Sequence, residues 1–311
     1  MPQMSCIMVD LHVHLGKQFN LINPVMTASG TFGYGDEVAD LVPVTRFGAL
    51  VTKSITLEPR TGNPPPRITE TPYGMINSIG LANIGLEAFL REKAAFLASY
   101  PGKVIVNVAG RSANEYHQVV AKLNEVDWVA ACEINVSCPN VSEGGIEFGK
   151  SPDVLDKLVT SLRKITEKFL IIKLTPNVTD MGEIARVVES AGADAITLIN
   201  TVYGAAIDIE TRQPKINTVI GGLSGPAIKP IALANIIRVA KRIQIPIIGV
   251  GGITNGADVI EYLLAGASAV QLGTVNFFKP LIINEIIDYL VHYCEEHGID
   301  CIGQLIGQAE I

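Results

Sequence analysis

The sequence has little positive charge and no paired cysteine motif. Its 24 lysines and arginines are outnumbered by 31 aspartates and glutamates, which gives a net charge of −7 and a pI near 5.3. Because no basic stripe is present to meet phosphates, this balance argues against a nucleic-acid partner. The five cysteines, at positions 6, 132, 138, 294 and 301, form no C-x-x-C pair. They fit reduced thiols better than a disulfide framework or an iron–sulfur cluster.

Membrane spans and targeting signals are also missing from the sequence. No apolar run reaches the length of a membrane helix, and MPQMSCIMVD lacks the basic and long apolar regions of a signal peptide. We therefore expect a cytoplasmic protein that does not contact membranes. A composition of 48% hydrophobic and 18% charged residues allows a large core. We expect residues 1–311 to form a single domain.

Eight short runs rich in valine and isoleucine alternate with amphipathic segments. This alternation predicts a parallel sheet with helices outside it, and eight strands indicate an α/β fold, a (β/α)8 TIM barrel. We expect an N-terminal β-hairpin and inserted loops over the C-terminal mouth, at 61–67 and 203–226. A doubly wound sheet would carry G-x-G-x-x-G after its first strand, and this motif is absent. The predicted strands are 24–28, 48–53, 103–108, 131–136, 169–174, 194–199, 246–250 and 269–273, and the predicted helices include 86–98, 114–125, 151–168, 180–192, 230–243 and 255–266.

Polar residues or glycines stand at the end of every predicted strand. Barrel enzymes build their active sites there. The glycines after the last two strands, with GGLSGPA at 221–227, allow backbone N–H groups to approach a phosphate closely. A phosphorylated cofactor across the barrel mouth is the function that this pattern favours. The strand-end residues are Ser29, Lys53, Asn107, Asn135, Lys173, Asn200, Gly251, Gly252, Gly273 and Thr274.

Two other motifs suggest different chemistry. In DLHVHLG, His12 and His14 share one strand face, as in some zinc hydrolases, but the other three histidines fall in predicted helices. The alternation equally suits a strand with both histidines in solvent. GGIEFGKS, at 144–151, matches the P-loop pattern, yet seven residues separate it from the preceding strand.

The segment NVSCPN, at 135–140, places Cys138 in a loop after the fourth strand. A free thiol has a pKa of about 8.5, so Cys138 is a candidate proton acceptor if nearby cations favour the thiolate. The alternative is a buried structural cysteine, which is the commoner role and the one we expect for Cys6, Cys132, Cys294 and Cys301.

Eight motifs together resemble those of class 1 dihydroorotate dehydrogenases. The set is ASGTFGYG, TKSITLEPRTGNPPPR, NSIGLANIG, NVSCPN, KLTPNVTD, GGLSGPAIKP, GVGGI and QLGT, in this order between about Asn23 and Pro280. KLTPNVTD, INT and GGLSGPAIKP are most similar to the NAD-linked class 1B catalytic subunit, with the fumarate-using class 1A homodimer as the alternative. The resemblance implies bound FMN and oxidation of (S)-dihydroorotate to orotate in pyrimidine biosynthesis.

The resemblance also implies residue roles. Cys138 would remove the C5 proton while the C6 hydride passes to flavin N5, and Lys53 would lie between the flavin and the substrate carboxylate. The implied substrate-binding residues are Lys53, Asn77, Ser78, Ile79, Gly80, Leu81, Asn135, Asn140, Asn200 and Thr201. The implied FMN-binding residues are Ser29, Lys53, Ser54, Asn107, Asn135, Lys173, Ile199, Gly225, Gly251, Gly252, Gly273 and Thr274.

The resemblance further implies a partner that carries electrons onward. The chain lacks a dinucleotide motif and cluster-forming cysteines, so an FAD and [2Fe-2S] electron-transfer subunit would supply both, in a heterotetramer around a homodimer of this chain. The membrane-bound class uses a serine base and an N-terminal extension, so Cys138 disfavours a quinone acceptor. Four rivals stay open: a dihydropyrimidine dehydrogenase-like barrel, a tRNA dihydrouridine synthase, a zinc-dependent amidohydrolase, and a non-catalytic flavin carrier.

Overall fold

The computed structural model describes residues 9–16, 19–137, 139–140 and 146–310, with backbone alone at 139–140 and 146–147. The strands in chain order are β1 (Val13–His14), β2 (Asn20–Leu21), β3 (Val25–Thr27), β4 (Ala49–Val51), β5 (Ile68–Thr71), β6 (Gly74–Asn77), β7 (Lys103–Val108), β8 (Val129–Asn135), β9 (Pro139–Asn140), β10 (Ile146–Glu147), β11 (Phe169–Lys173), β12 (Ala195–Leu198), β13 (Val202–Ala205), β14 (Ile220–Ser224), β15 (Ile247–Val250) and β16 (Ala269–Leu272).

The helices cover the outside of the sheet. They are α1 (Leu86–Glu92), α2 (Ala94–Ser99), α3 (Ala113–Asn124), α4 (Pro152–Arg163), α5 (Met181–Ser190), α6 (Lys229–Ala240), α7 (Gly256–Leu264), α8 (Val275–Phe278) and α9 (Ile282–His297). Short 3-10 turns lie at Val44–Arg46, Phe148–Lys150, Pro226–Ile228 and Ile302–Leu305. Within the described residues, no helix is both long and apolar enough to cross a membrane.

Eight parallel strands form a closed barrel, as the sequence predicts. Their order around the ring is β3, β4, β7, β8, β11, β12, β15 and β16, and β16 pairs with β3 to close it. All eight predicted strands are confirmed, because each apolar run is buried on both faces, inside the ring and under the helices. The carboxyl ends of all eight strands therefore meet at one mouth.

A second sheet and a hairpin extend the barrel. The hairpin pairs β1 with β2, and the antiparallel sheet over the mouth has the order β13, β14, β6, β5. The insertion predicted at 203–226 contains β14 and most of β13, whereas β5 and β6 follow the loop predicted at 61–67. In the resulting sheet, β6 pairs with β14 across more than 140 residues of sequence. We call this sheet the mouth sheet.

Two predicted helices differ from the structure. The segment 86–98 forms α1 and α2, which meet at Lys93, where the ammonium is anchored 2.7 Å from Asp36 Oδ2. The helix expected over 151–168 ends at Arg163, because the Arg163 guanidinium donates to the carbonyl oxygens of Thr166 and Lys168 and fixes a turn into β11.

A charged cluster ties α6 to α7. Lys229 Nζ lies 2.7 Å from Asp258 Oδ1 and 2.7 Å from Glu261 Oε2. Asp258 Oδ2 accepts hydrogen bonds from the backbone N–H of Thr254 at 2.7 Å and from its hydroxyl at 2.9 Å. The cluster therefore fixes the loop that follows β15. Burial raises the pKa of Asp258, but hydrogen bonds from Lys229 and Thr254 outweigh it, so this pKa lies below its usual value of 3.8.

We expect Asp258→Asn to lower the free energy of unfolding at pH 7 by about 1.5–3 kcal/mol, the range for hydrogen bonds to charged groups. A carboxyl group with a depressed pKa stabilises the fold above its unfolded pKa, and this contribution is lost as the pH falls through the folded pKa. The difference between variant and wild type should therefore shrink below about pH 3.8. Urea unfolding followed by circular dichroism at pH 7 and pH 3 measures it.

Asp127→Asn is the matched control, since Asp127 is exposed, and should change stability by less than about 0.5 kcal/mol. An equal loss for Asp258→Asn at both pH values would contradict the electrostatic explanation.

Candidate active site

A chain of hydrogen bonds crosses the barrel mouth along its polar strand ends. Ser29 Oγ lies 3.4 Å from Ser54 Oγ, and the Ser54 hydroxyl donates to Asn107 Oδ1 at 2.6 Å. The Asn107 amide nitrogen donates in turn to Glu133 Oε1 at 2.7 Å. Four residues on four neighbouring barrel segments are therefore held in one fixed arrangement.

Glu133 joins this chain to the opposite side of the barrel. Its Oε2 accepts hydrogen bonds from the Thr197 hydroxyl at 2.8 Å and from the Gln271 amide nitrogen at 2.6 Å. Lys173 Nζ lies 3.7 Å from Glu133 Oε1 and donates to Gln271 Oε1 at 3.3 Å. The Glu133 side chain is fully buried and that of Lys173 is 7% exposed. A polar layer thus spans the inside of an otherwise apolar barrel.

Three glycines, one after β14 and two after β15, have backbone conformations that favour glycine. Gly225, Gly251 and Gly252 have φ values of +93°, +136° and +71°. A Cβ atom on Gly252 would lie 2.8 Å from Lys229 Cβ and 2.9 Å from Gly225 O, so no side chain fits without a shift. The Thr274 hydroxyl donates to Ser224 Oγ at 2.8 Å, which brings the loop after β16 against the end of β14. The loops after β14, β15 and β16 therefore lie against one another.

Two further predicted cofactor residues, Ile199 and Gly273, lie at the ends of β12 and β16. Ile199 directly follows β12, is buried, and donates its N–H to Val250 O at 3.0 Å. Gly273 directly follows β16, and a Cβ atom there would approach nothing closer than Ala28 Cβ at 3.7 Å. Gly273 therefore has open space beside it, unlike Gly252.

A cavity of about 390 Å³ lies between the barrel mouth and the mouth sheet. It brings together four residues that the sequence predicts as substrate-binding, from β6, from the residue after it and from the segment after β12. The residues that line it are Asn77, Ser78, Ser137, Thr175, Asn177, Asn200, Thr201, Tyr203, Ile220, Gly221 and Gly222.

Asparagine amides are oriented around this cavity by hydrogen bonds. The Asn200 amide nitrogen donates to Asn135 Oδ1 at 3.2 Å and to Ser137 Oγ at 2.8 Å, and its oxygen accepts the Thr201 N–H at 2.8 Å. The Asn77 amide nitrogen donates to Gly222 O at 3.2 Å. Among the described residues, the Asn135 amide nitrogen and the Asn77 amide oxygen have no hydrogen-bond partner. Asn77 therefore offers its amide oxygen to the cavity as a free acceptor.

The segment after β6 turns sharply beside the cavity. Gly80 and Leu81 both have positive φ, at +71° and +57°. Asn63 anchors the turn, because its side-chain nitrogen donates to Ser78 Oγ at 2.8 Å and its backbone N–H donates to Ile79 O. Ser78 is thereby fixed at the cavity wall, whereas Ile79, Gly80 and Leu81 are not among the lining residues.

Lys53 follows β4 and is half-buried. Its backbone N–H donates to Gly33 O at 2.8 Å. Within the described part of the chain, its ammonium group has no hydrogen bond or salt bridge. A half-buried ammonium without a protein partner is available to an anionic ligand.

Several candidate residues fall elsewhere. Cys138 lies outside the described residues, as do Cys6 and residues 144–145 of the segment that matches the P-loop pattern, and the Asn140 side chain is not described. Cys132 is fully buried in β8, where burial raises the pKa of its thiol to about 12, in agreement with a structural role. Cys294 is also buried, in α9, whereas Cys301 is half-exposed.

His12 and His14 are exposed, as the alternation predicts. His12 Nδ1 lies 2.6 Å from Asp10 Oδ1, and His14 Nδ1 lies 2.7 Å from Asn20 Oδ1. Across the described residues, no three His, Cys, Asp or Glu side chains are placed to hold a metal ion together.

Sequence reasoning missed several residues of the site. Thr175, Asn177 and Tyr203 line the cavity, and Asn177 donates to Thr201 O and accepts the Tyr203 N–H, both at 3.2 Å. Glu133 and Gln271 lie inside strands that are otherwise mostly apolar. The signal was available, since a glutamate within ACEINV and a glutamine within AVQLG are unusual in strands buried on both faces.

Comparison with known proteins agrees with this geometry. The sequence profile of the dihydroorotate dehydrogenase family matches residues 12–293. The chain is 50% identical over 301 residues to the dihydroorotate dehydrogenase B (NAD(+)) catalytic subunit of Pelobacter propionicus, covering 97% of this chain and 99% of that protein. It is 47% identical over 304 residues to the protein of the same name from Bacteroides fragilis, covering 98% and 100%.

A solved structure shares the fold. The crystal structure of DHODH from Eimeria tenella in complex with ferulenol superimposes with a TM-score of 0.81 and 22% sequence identity, over 98% of this chain and 90% of that one. Since the family profile covers most of the sequence and relatives match nearly all of it, the chain belongs to the dihydroorotate dehydrogenase family.

Proposed function

We propose that this chain binds FMN across the barrel mouth and oxidises (S)-dihydroorotate to orotate in pyrimidine biosynthesis, as the catalytic subunit of an NAD-linked enzyme. The observation that carries the proposal is the asparagine-lined cavity of about 390 Å³ at the barrel mouth. Two donors at the strand ends, the Lys53 ammonium and the Asn135 amide nitrogen, have no hydrogen-bond partner among the described residues. The names of the relatives favour NAD over fumarate as the final acceptor.

The donor set at the mouth fits FMN. The glycine-rich loops at Gly225, Gly251 and Gly252 have backbone conformations that favour glycine, and without side chains their N–H groups allow a phosphate to approach closely. Lys173 makes one hydrogen bond among the described residues, so two of its protons are left for a ring edge that becomes negatively charged. When bound, FMN supplies a two-electron acceptor for the hydride from C6 of dihydroorotate. The FMN-binding set remains Ser29, Lys53, Ser54, Asn107, Asn135, Lys173, Ile199, Gly225, Gly251, Gly252, Gly273 and Thr274.

The cavity residues hold and orient the substrate in this proposal. A pyrimidinedione alternates N–H donors and C=O acceptors along its edge, and the free Asn135 nitrogen and Asn77 oxygen complement such an edge. Ser78, Asn200 and Thr201 complete the wall, and Asn140 and residues 79–81 remain in the proposed substrate-binding set. The Lys53 ammonium pairs with the substrate carboxylate, which stabilises the bound anion.

Cys138 accepts the C5 proton in the proposed reaction. The thiol must be deprotonated to do so, and a cation beside it would favour the thiolate. Cysteine is suited to this step because its thiol has a pKa closer to neutrality than a serine hydroxyl.

Electrons leave the chain through a partner in the proposed complex. Neither the sequence motifs nor the described cysteines supply a dinucleotide site or an iron–sulfur cluster in this chain. An electron-transfer subunit with FAD and [2Fe-2S] therefore binds a homodimer of this chain to form a heterotetramer. The word "subunit" in the relatives' names supports such a partner.

The first test is an anaerobic spectrum of the purified chain before and after dihydroorotate is added. We expect the wild-type chain to show flavin absorption that bleaches rapidly when dihydroorotate is added. Cys138→Ser should bleach about 10²- to 10⁴-fold more slowly at pH 7, the usual contribution of a general base, and should recover rate as the pH rises. Stopped-flow absorbance measures both.

Cys301→Ser is the control, because Cys301 is a half-exposed cysteine in a 3-10 turn region away from the mouth, and it should bleach at the wild-type rate. A chain that cannot bind FMN when reconstituted, or a Cys138→Ser variant with the wild-type rate at pH 7, would refute the assigned chemistry.

A second experiment tests the partner. The chain alone should reduce its flavin with dihydroorotate but should form NADH only when the electron-transfer subunit is added, because its sequence carries no dinucleotide-binding motif. Absorbance at the NADH band, with and without the co-expressed partner, measures the difference. Full NADH formation by the chain alone would rule out the proposed complex.

A further inference from the structure

Glu133 is a fully buried charge in the barrel interior that the proposed reaction does not use. It lies in β8 between apolar neighbours, and both of its oxygens are occupied. Asn107 donates to Oε1, and Thr197 and Gln271 donate to Oε2. Burying a carboxylate is costly, and apolar residues of similar volume often give an equally stable core. The barrel fold alone therefore does not account for a glutamate here.

The hydrogen-bond pattern defines Glu133 as a carboxylate. Lys173 is a donor only, so the Gln271 atom that faces it at 3.3 Å is the amide oxygen. The Gln271 nitrogen then faces Glu133 Oε2 at 2.6 Å, and a nitrogen donor also faces Oε1. The Thr197 hydroxyl, 2.8 Å from Oε2, donates the third hydrogen bond. Lys173 Nζ, 3.7 Å from Oε1, is the compensating charge.

We propose that Glu133 is a positioning residue that lowers the reduction potential of the bound flavin by offsetting the charge of Lys173 and fixing the Asn107 amide. This inference rests on the proposed function, since it requires FMN above Lys173 and Asn107. A lone buried ammonium beneath the cofactor would strongly favour its reduced, more negative form. With Glu133 at 3.7 Å, the ammonium offers hydrogen bonds while much of its net charge is cancelled. The flavin then remains able to pass electrons onward.

The test compares two substitutions that separate charge from shape. Glu133→Gln keeps the side-chain length and removes the charge, whereas Glu133→Asp keeps the charge and shortens the reach to Asn107 and Gln271. We expect Glu133→Gln to shift the ratio of reduced to oxidised flavin at fixed potential at least tenfold towards the reduced form, which is about 30 mV for a two-electron couple. Glu133→Asp should stay closer to the wild-type value. Anaerobic dye-coupled redox titration of the FMN-loaded chain measures this.

A purely structural role predicts a different outcome. Both variants would then lose stability in thermal unfolding while their flavin potentials stayed at the wild-type value. Equal potentials in wild type and Glu133→Gln would overturn the proposal.

A second pair of variants tests the proposal if Glu133→Gln alone does not fold. Lys173→Gln leaves Glu133 uncompensated and should lower the potential, and the double variant Glu133→Gln/Lys173→Gln removes both charges, an exchange that buried ion pairs often tolerate. The double variant should have a higher potential than Lys173→Gln alone. If no glutamine variant folds while Glu133→Asp does, the carboxylate is needed for the fold, and the proposal fails.

The outcome is distinguishable from a failure of the proposed function. A wild-type chain that neither binds FMN nor bleaches with dihydroorotate would refute the function itself. If the wild-type chain does both, but substitution of Glu133 leaves the flavin potential unchanged, only this inference is refuted.

Discussion

Closure of the parallel sheet is the constraint on which the rest of the molecule depends. The pairing of β16 with β3, with Gln271 opposite Met26, completes the hydrogen bonds of both edge strands. Once the ring is closed, eight strand ends that are far apart in sequence must share one small area. The lysines, asparagines and glycines of those ends become neighbours because of this closure.

The polar layer inside the barrel is the second consequence of closure. Asn107, Glu133, Thr197 and Gln271 come from four different strands, yet among the described residues their side-chain hydrogen bonds go to one another or to Lys173 and Ser54. Such networks favour one arrangement, since loss of any member leaves a buried group unpaired. The layer therefore gives the mouth a rigid floor on which a cofactor ring can be held.

The mouth sheet supplies the other wall of the site. Its strands come from two insertions, one after β4 and one after β12, and they meet where β6 pairs with β14. This pairing sets Asn77 against Gly222 and so defines the cavity between sheet and barrel. The substrate side and the cofactor side of the proposed site are thus built by different parts of the chain that the barrel brings together.

The sequence by itself determined the barrel, the strand ends and the family motifs, because strand burial and glycine placement leave local patterns in the chain. Its resemblance to the family implied a common substrate site for Asn77, Asn200 and Thr201, and the cavity brings these residues together. Only the tertiary structure decided that Glu133 joins Lys173 to Asn107 and that Asn177 and Tyr203 line the cavity. These contacts connect residues from different strands, and such distances depend on the register and closure of the sheet, which no local pattern of residues encodes.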